Sequence, residues 1–200
     1  MRRVLCIVAV VVLACGNVDT DGGHYPGMRE YAPPGAGYHI HYANPPWVPV
    51  GPASSYGAYR PDLVVELVYF GISLDMNAYL LQIERQDGRA ADVIQELRQA
   101  ASSTGETIDF EVRPFATAAG QTGFEFGSRG GQIAAGLPSS AQKTATEQGY
   151  TVRARRVAVD APEGCFTILV LSIYDLDDPD LTFMLQSFDP RPLGDGGVVG

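Results

Sequence analysis

Residues 165–174 read CFTILVLSIY, and this stretch decides how the rest of the chain can fold. It is nearly continuous in hydrophobicity, as a strand is when both of its faces are buried. Such a strand lies in the middle of a sheet, because other elements must cover both faces. We therefore expect a central strand here, with further strands on either side of it.

Shorter segments with alternating apolar and polar residues predict those neighbouring strands. In residues 107–112 the apolar side chains share one face of an extended chain. Residues 38–42 alternate in the same way, and the turn-forming residues 44–46 follow them. The other predicted strands are residues 47–50, 63–73, 79–84, 122–126 and 150–159.

Two segments follow the helical period instead. Residues 90–101 place apolar side chains at intervals of three and four, which predicts an amphipathic helix. Residues 178–188 predict a second helix, because Asp178 suits the N-cap and Pro179 the first helical position. The apolar stripe of this second helix consists of Leu181, Met184, Leu185 and Phe188.

The N-terminal residues have the layout of a bacterial export signal. Two arginines at residues 2–3 precede an apolar run at 4–14, which is shorter than the roughly 20 residues that span a bilayer. Residues 12–15 read VLAC and resemble the lipobox of bacterial lipoproteins. The resemblance implies that residues 1–14 are a cleaved signal peptide and that Cys15 carries lipid, palmitate included. The alternative is an ordinary cleaved signal with an incidental cysteine.

A lipid on Cys15 would hold the protein in the bacterial cell envelope. Because Gly16 and not Asp follows, the resemblance to enterobacterial lipoproteins favours the periplasmic face of the outer membrane over the inner membrane. Residues 15–36 are rich in Gly, Pro and Asp and predict a flexible tether. We expect one folded domain over residues 37–189 and a disordered tail over residues 190–200.

The charge of the chain limits its partners. The net charge is −9, and cleavage after residue 14 would leave 12 basic and 23 acidic residues, a charge of −11. This balance argues against nucleic acid as a partner and against attraction to anionic lipid headgroups. We therefore expect the contact with the membrane to be made through the lipid anchor.

Cysteine usage is consistent with a lipid anchor. If Cys15 is acylated and Cys6 leaves with the signal, Cys165 has no intramolecular partner for a disulfide. We expect Cys165 to pack as a small buried hydrophobe in the apolar stretch that it opens. A bridge between Cys15 and Cys165 is the alternative.

The order of the elements resembles that of PsbP/Mog-like domains. These domains often open with an aromatic strand and a Pro-x-Trp or Gly-Trp turn, and here residues 42–47 read YANPPW. They often end with an apolar strand, an Asp-rich turn and a helix with a Ser-Phe pair, here residues 166–174, 175–180 and 187–188. The resemblance covers residues 37–189. It implies an α+β fold in which helices pack on an antiparallel sheet of about six strands, as an α/β/α sandwich, with binding or assembly roles and no catalytic residue.

Two histidines form a candidate metal site. His39 and His41 lie two apart on a predicted strand, so they share a face and can both ligate a metal such as zinc. A third ligand would have to be a carboxylate from elsewhere in the chain. The sequence favours the alternative, in which they are half-exposed strand residues, so we predict no cofactor. His24, the remaining histidine, falls in the tether.

Two charged clusters have a functional and a structural interpretation. Residues 175–180 are rich in Asp and could bind Ca²⁺, yet acidic residues also favour a helix start, and this second interpretation is preferred. Arg153, Arg155 and Arg156 could form a docking patch for an acidic partner. A solvated strand face is the preferred interpretation of these arginines.

No motif in the chain predicts catalysis. The glycine-rich residues 120–123 and 127–131 match neither a P-loop nor a dinucleotide-binding fingerprint and predict turns. The sequence contains neither a nucleophile elbow nor a zinc-protease helix motif. We therefore expect a non-catalytic binding or adaptor domain for another envelope protein. The alternative is an envelope enzyme that uses a small ligand or a metal at His39 and His41.

Overall fold

The computed structural model describes residues 28–32, 37–43, 47–49, 63–70, 77–136, 139–173 and 175–191. The predicted signal peptide, Cys15, His24, the turn at residues 44–46 and residues 192–200 lie outside the described residues. The strands are β1 (Met28–Tyr31), β2 (Tyr38–Ala43), β3 (Trp47–Pro49), β4 (Leu63–Phe70), β5 (Asn77–Gln86), β6 (Thr107–Ala116), β7 (Thr122–Arg129), β8 (Arg153–Ala161), β9 (Gly164–Ser172) and β10 (Asp189–Pro190). The helices are α1 (Ala90–Ser103), α2 (Ser139–Gln148) and α3 (Pro179–Gln186), with a 3-10 helix at Ile133–Gly136.

The strands form two antiparallel sheets. The large sheet has seven strands in the order β3-β4-β5-β9-β8-β7-β6, and the small sheet has three in the order β1-β2-β10. The α+β class and the antiparallel pairing are as predicted, and β9 is the central strand of the large sheet. The prediction of one sheet of about six strands is wrong. β1 and β10, the first and last strands of the described residues, both pair with β2 and form a separate three-stranded sheet.

The small sheet includes residues that the sequence assigned to the tether and the tail. β1 falls within residues 15–36 and pairs with β2 along its whole length, from Met28 opposite Ala43 to Tyr31 opposite Ile40. β10 includes Pro190, which is buried, and the N–H of Arg191 donates to the carbonyl oxygen of Gly37 at 2.6 Å. Backbone pairing thus extends the folded part beyond both limits of the predicted 37–189 domain, since neither segment shows a strand pattern by itself.

The main core lies between the large sheet and a layer made of the small sheet and α3. Both layers contribute fully buried apolar side chains, so this interface removes the largest part of the apolar surface from water. Its buried members are Tyr38, Ile40, Tyr42, Leu81, Ile83, Phe115, Val157, Val159, Phe166, Ile168, Val170, Leu176, Leu181, Met184, Leu185 and Phe188. The predicted apolar stripe of α3 is therefore confirmed as part of the core.

A second core lies on the opposite face of the large sheet, beneath α1. It is built from Ala90, Ile94, Ala101, Phe126, Ala158 and Cys165. The prediction of an amphipathic helix here is confirmed. Arg89 makes no side-chain cap at the start of α1; instead Asp160 on β8 accepts a hydrogen bond from the N–H of Ala90 at 2.8 Å. A carboxylate from the sheet thus takes the place of a local N-cap.

The start of α3 agrees with its sequence pattern. Asp178 precedes the helix, and its Oδ1 accepts a hydrogen bond from the N–H of Leu181 at 3.2 Å. Pro179 is the first helical residue. The interpretation of the acidic residues as a helix start is confirmed for Asp178.

The segment between β7 and β8 contains structure that the sequence did not predict. α2 was missed because its residues, SSAQKTATEQ, are nearly all small or polar and show little apolar periodicity. Turns were predicted for residues 120–123 and 127–131, but Gly123 and Gly127 lie inside β7. At Gly127 the ring of Phe110 from β6 occupies the space that a Cβ would fill. Gly127 is therefore required for close packing and not for a turn.

Cys165 is a free, buried cysteine in the second core, as predicted. Burial raises the pKa of its thiol to about 11, and the charge of Asp160 adds to this shift. Within the described part of the chain, no helix combines the length and the apolar character needed to cross a bilayer.

Candidate functional site

The small sheet brings together a cluster of charged side chains around His39. β2 is the middle strand, so a side chain on it can contact both β1 and β10. His39 lies opposite Asp189 on β10, while Glu30 on β1 lies opposite His41, one step along the same face. This register places Glu30 and Asp189 on either side of the His39 ring.

Each ring nitrogen of His39 faces a carboxylate. Nδ1 lies 2.8 Å from Glu30 Oε1, and Nε2 lies 2.8 Å from Asp189 Oδ2. An ionised carboxylate only accepts hydrogen bonds, so both contacts are hydrogen bonds only when both nitrogens carry a proton. The His39 side chain is 13 % exposed, which strengthens these charged contacts relative to a fully solvated pair. Through these two contacts His39 bridges the first and last strands of the described residues.

Arg191 completes the cluster. Its Nη2 lies 3.1 Å from Nδ1 and 3.2 Å from Nε2 of His39, and its Nε lies 3.6 Å from Asp189 Oδ2. A protonated His39 and Arg191 are like charges, and the carboxylates of Glu30 and Asp189 balance them. The cluster is therefore neutral as a whole when the His39 ring is protonated.

The cluster also sets the protonation of its neighbours. The hydrogen bond from His39 lowers the pKa of Glu30, against the opposing effect of burial, and nearby positive charges lower it further. Burial lowers the pKa of His41, which the Glu30 charge opposes and the His39 charge reinforces. The rings of His39 and His41 share a face of β2, with centroids 5.7 Å apart.

The predicted metal site has its two histidines together, and the structure supplies carboxylates beside them. Those carboxylates contact the His39 nitrogens directly, however, and the guanidinium of Arg191 lies next to the same ring. Among the described residues, no group of three or more His, Cys, Asp or Glu is arranged to hold a metal ion. Both ring nitrogens of His39 are thus already in contact with side chains of the protein itself.

Ser187 has a structural role next to His41. Its Oγ accepts a hydrogen bond from the backbone N–H of His41 at 2.9 Å and donates to the carbonyl oxygen of Met184 at 2.7 Å. The hydroxyl therefore joins the end of α3 to β2, and its bonds are to the backbone of His41 and not to the ring. This arrangement positions β2 and does not make Ser187 a nucleophile.

Two arginines of β8, Arg155 and Arg156, form neither a docking patch nor a solvated face. Arg155 and Arg156 point to opposite faces of the large sheet, and Arg155 is buried. Its Nε and Nη2 each lie 2.8 Å from Glu125 Oε2 on β7, while Arg113 Nε from β6 lies 2.7 Å from Glu125 Oε1. For Arg155 and Arg156 both sequence interpretations are wrong, since carboxylates of Glu125 and Glu106 pair with them.

Arg156 forms a second internal ion pair, on the face covered by α1. Its Nη1 and Nη2 lie 3.0 Å and 3.1 Å from the two carboxylate oxygens of Glu106. The hydroxyl of Ser128 accepts from Arg156 at 2.7 Å and donates to Glu106 at 2.6 Å, and the guanidinium lies over the ring of Phe126. Arg156 and Glu106 are thus paired with each other and with Ser128. The network links β7 and β8 and leaves neither charge unpaired for a partner protein.

Sequence reasoning missed three members of the His39 cluster, namely Glu30, Asp189 and Arg191. Glu30 lies in the segment assigned to the tether, Asp189 is the last residue of the predicted domain, and Arg191 lies in the assigned tail. Asp189 is separated from His39 by 150 residues, so no spacing rule connects the two. Each carboxylate is adjacent to an aromatic residue, Glu30 to Tyr31 and Asp189 to Phe188, but this adjacency alone does not connect either of them with His39.

These features define an α+β protein in which the first and last strands of the described residues flank β2 in a small sheet, with His39 between two carboxylates. No protein-family model matches the chain, and no curated protein matches it. Among solved structures, it is similar to a crystal structure from Bacteroides thetaiotaomicron VPI-5482 at 1.50 Å resolution, with 10% sequence identity and a TM-score of 0.44. The match covers 84% of this chain and 50% of that one, so this chain spans half the length of that structure. At this TM-score the likeness carries neither fold nor function over to this chain.

Proposed function

We propose that this protein is a bacterial lipoprotein of the cell envelope, with a binding or adaptor domain for another envelope protein. Cys15 carries the lipid after removal of residues 1–14, and the periplasmic face of the outer membrane is its proposed location. The lipobox-like residues 12–15 at the end of a short apolar run support the anchor.

The observation that carries the proposal is the position of β1. β1 begins at Met28, so residues 16–27 separate the proposed lipid from the small sheet. A fully extended chain between Cys15 and Met28 spans at most roughly 45 Å. The domain would therefore work close to the membrane surface, as an adaptor for a membrane-associated partner does.

The finer fold assignment, a PsbP/Mog-like α/β/α sandwich, is part of the proposal. It is supported by the helices α1 and α3, which pack on opposite faces of the large sheet. It is also supported by the resemblance of the YANPPW and Ser-Phe segments to the opening turn and the closing helix of that group. The binding roles of that group then favour an adaptor over an enzyme.

A metal- or ligand-dependent enzyme that uses His39 and His41 has less support. Both His39 nitrogens already face carboxylates, and Arg191 adds a positive charge beside the ring. A cation at this position would have to displace protons from His39 against that charge. The adaptor role is therefore the one that we propose.

The anchor is tested by the substitution Cys15→Ser, with Cys6→Ser as the matched control in the same N-terminal segment. Incorporation of a labelled fatty acid and recovery in the membrane fraction are measured in living cells. We expect Cys15→Ser to abolish both and Cys6→Ser to retain both. Labelling that survives in Cys15→Ser would contradict the anchor.

The adaptor role is tested by photo-cross-linking of the membrane-bound protein. Among the described residues, Tyr150 is the large hydrophobic side chain that is exposed, at 47 %. A photoreactive phenylalanine is placed there, with exposed Gln95 on α1 as a second position, and captured proteins are identified by mass spectrometry. One envelope protein captured reproducibly from either position supports the adaptor role, and capture of none from both would overturn it.

A further inference from the structure

The described side chains of β1 are those of Glu30 and Tyr31. β1 is a four-residue strand at the edge of the small sheet and pairs with β2 alone. Tyr31 packs against the main core but is only partly buried, and Glu30 is exposed. Short edge strands of this kind open at a lower free energy than the central strands of a sheet. The attachment of β1 therefore depends strongly on any side-chain contact that it makes.

The side-chain hydrogen bond of β1 in the described part of the chain is the one between Glu30 and His39. With His39 protonated, this contact is a charge-assisted hydrogen bond, about twice as strong as one between neutral groups. A neutral imidazole carries one N–H, so it can donate either to Glu30 or to Asp189, but not to both. Loss of the ring proton therefore removes the charged partner of Glu30 in either tautomer.

Four charged or titratable groups face the His39 ring. Glu30 comes from β1, His41 from β2 itself, and Asp189 and Arg191 from β10 and the residue after it. Arg191 can continue to pair with Asp189 when His39 is neutral, because its Nε already lies 3.6 Å from Asp189 Oδ2. No other cation among the described residues is hydrogen-bonded to Glu30, so the loss falls on β1 and not on β10.

We propose that His39 is a proton-dependent latch that fastens β1 to the domain through Glu30. The latch is closed while the His39 ring carries both protons, and β1 becomes releasable when one proton leaves. β2 and β10 stay in place in both states, because their contacts with α3 and the main core do not involve the ring.

The consequence for the whole protein rests on the proposed lipid anchor. With β1 in the sheet, the chain between Cys15 and Met28 spans at most roughly 45 Å. With β1 released, the segment from Cys15 to Tyr38 contains 23 peptide steps, and a chain of this length spans at most roughly 80 Å. The latch would thus set how far from the membrane the domain can reach.

The test is hydrogen exchange with mass spectrometry on the full chain extracted from membranes. The protection of the peptide that covers β1 is compared with that of the peptide that covers β9, at about pH 5.5 and about pH 8.5, a range that spans histidine titration. In the wild-type protein we expect the ratio of the two protections to fall about tenfold from the lower to the higher pH, as expected for loss of one charge-assisted hydrogen bond.

The variant His39→Gln should show the low ratio at both values of pH, because its side chain is neutral throughout. The matched control His41→Gln changes the other histidine of β2 and should keep the wild-type pH dependence. A wild-type ratio that does not change with pH would overturn the latch, as would a loss of protection that is equal in β1 and β9. These results do not depend on the lipid, so failure of the anchor and failure of the latch are distinguishable.

Discussion

Arg155 on β8 and Glu125 on β7 form a buried ion pair next to α3, with Arg155 Nη2 2.8 Å from Glu125 Oε2. Their side chains are 8% and 6% exposed. The same guanidinium lies 3.3 Å from the hydroxyl of Thr182 on α3 and 3.5 Å from the carbonyl oxygen of Leu176. The pair therefore ties the central part of the sheet to the helix that closes the main core.

Glu125→Gln should destabilise the protein strongly. It leaves Arg155 buried without a counter-charge, and removal of one partner from a buried pair costs about 3–5 kcal/mol. We expect this loss in the free energy of unfolding, measured by urea denaturation at neutral pH. Removing the cation as well, in Glu125→Gln with Arg155→Met, should recover part of the loss.

The matched control is Glu111→Gln, which removes the same charge from the exposed pair between Glu111 and Arg98. Solvent screens that pair, so we expect little change in stability. An equal loss in the two single variants would show that burial does not distinguish these ion pairs.

Gly127→Ala should be destabilising because Phe110 occupies the space of the new methyl group. Overpacking of this kind costs about 1–3 kcal/mol. The double variant with Phe110→Ala removes the obstacle, so the effect of Gly127→Ala should be much smaller in that background. Urea denaturation of the four proteins gives the coupling free energy, and additive effects would contradict the proposed contact.

The contribution of His41 to stability should fall as the pH falls through the range in which this histidine becomes protonated. The pKa of His41 is lowered from 6.5 in the folded protein, so the neutral ring is favoured by folding. Its contribution is fully present above pH 6.5 and is lost as the pH falls through the folded value. The pKa of Glu30 is lowered from 4.5 in the folded protein, so its own contribution to stability is lost as the pH falls below 4.5.

The measurement compares thermal unfolding of the wild type with that of His41→Gln at about pH 7.5 and about pH 5.5. We expect the wild type to lose more stability than the variant over this interval, because the variant has no ring to protonate. A larger loss in the variant would reverse the sign that we assign to His41.

Cys165 should react slowly with thiol reagents in the folded protein. Its pKa of about 11 leaves a thiolate fraction about a hundredfold lower than an ordinary thiol with a pKa of 9.0, and burial blocks access as well. Alkylation at neutral pH is followed on the peptide that contains Cys165. Protein unfolded in urea is the control and should react at the rate of a free thiol; equal rates in both states would place Cys165 at the surface.

Local patterns in the sequence were sufficient for most individual elements. The continuous apolar run of β9, the helical period of α1 and the Asp178-Pro179 start of α3 each depend on nearby residues, and the structure agrees with all three. α2 was missed because it lacks an apolar stripe, so nothing in its residues separates a helix from a polar loop.

The histidine site was predictable only in part. That His39 and His41 share a face follows from the two-residue period of a strand, which any single segment reveals. The partners of His39 could not be found in this way, because Glu30 and Asp189 reach it from strands at the two ends of the described chain.

By itself, the sequence determined the α+β class, the antiparallel strands, the central position of β9 and the buried stripe of α3. The tertiary structure alone decided that two sheets form, that residues 28–31 and 189–190 join the smaller one, and that Arg155 is paired inside the protein. The physical reason is the range of the interactions. Apolar periodicity depends on residues that are close together in the sequence. Strand partners and ion pairs depend on chain segments that are far apart in the sequence and meet only after folding.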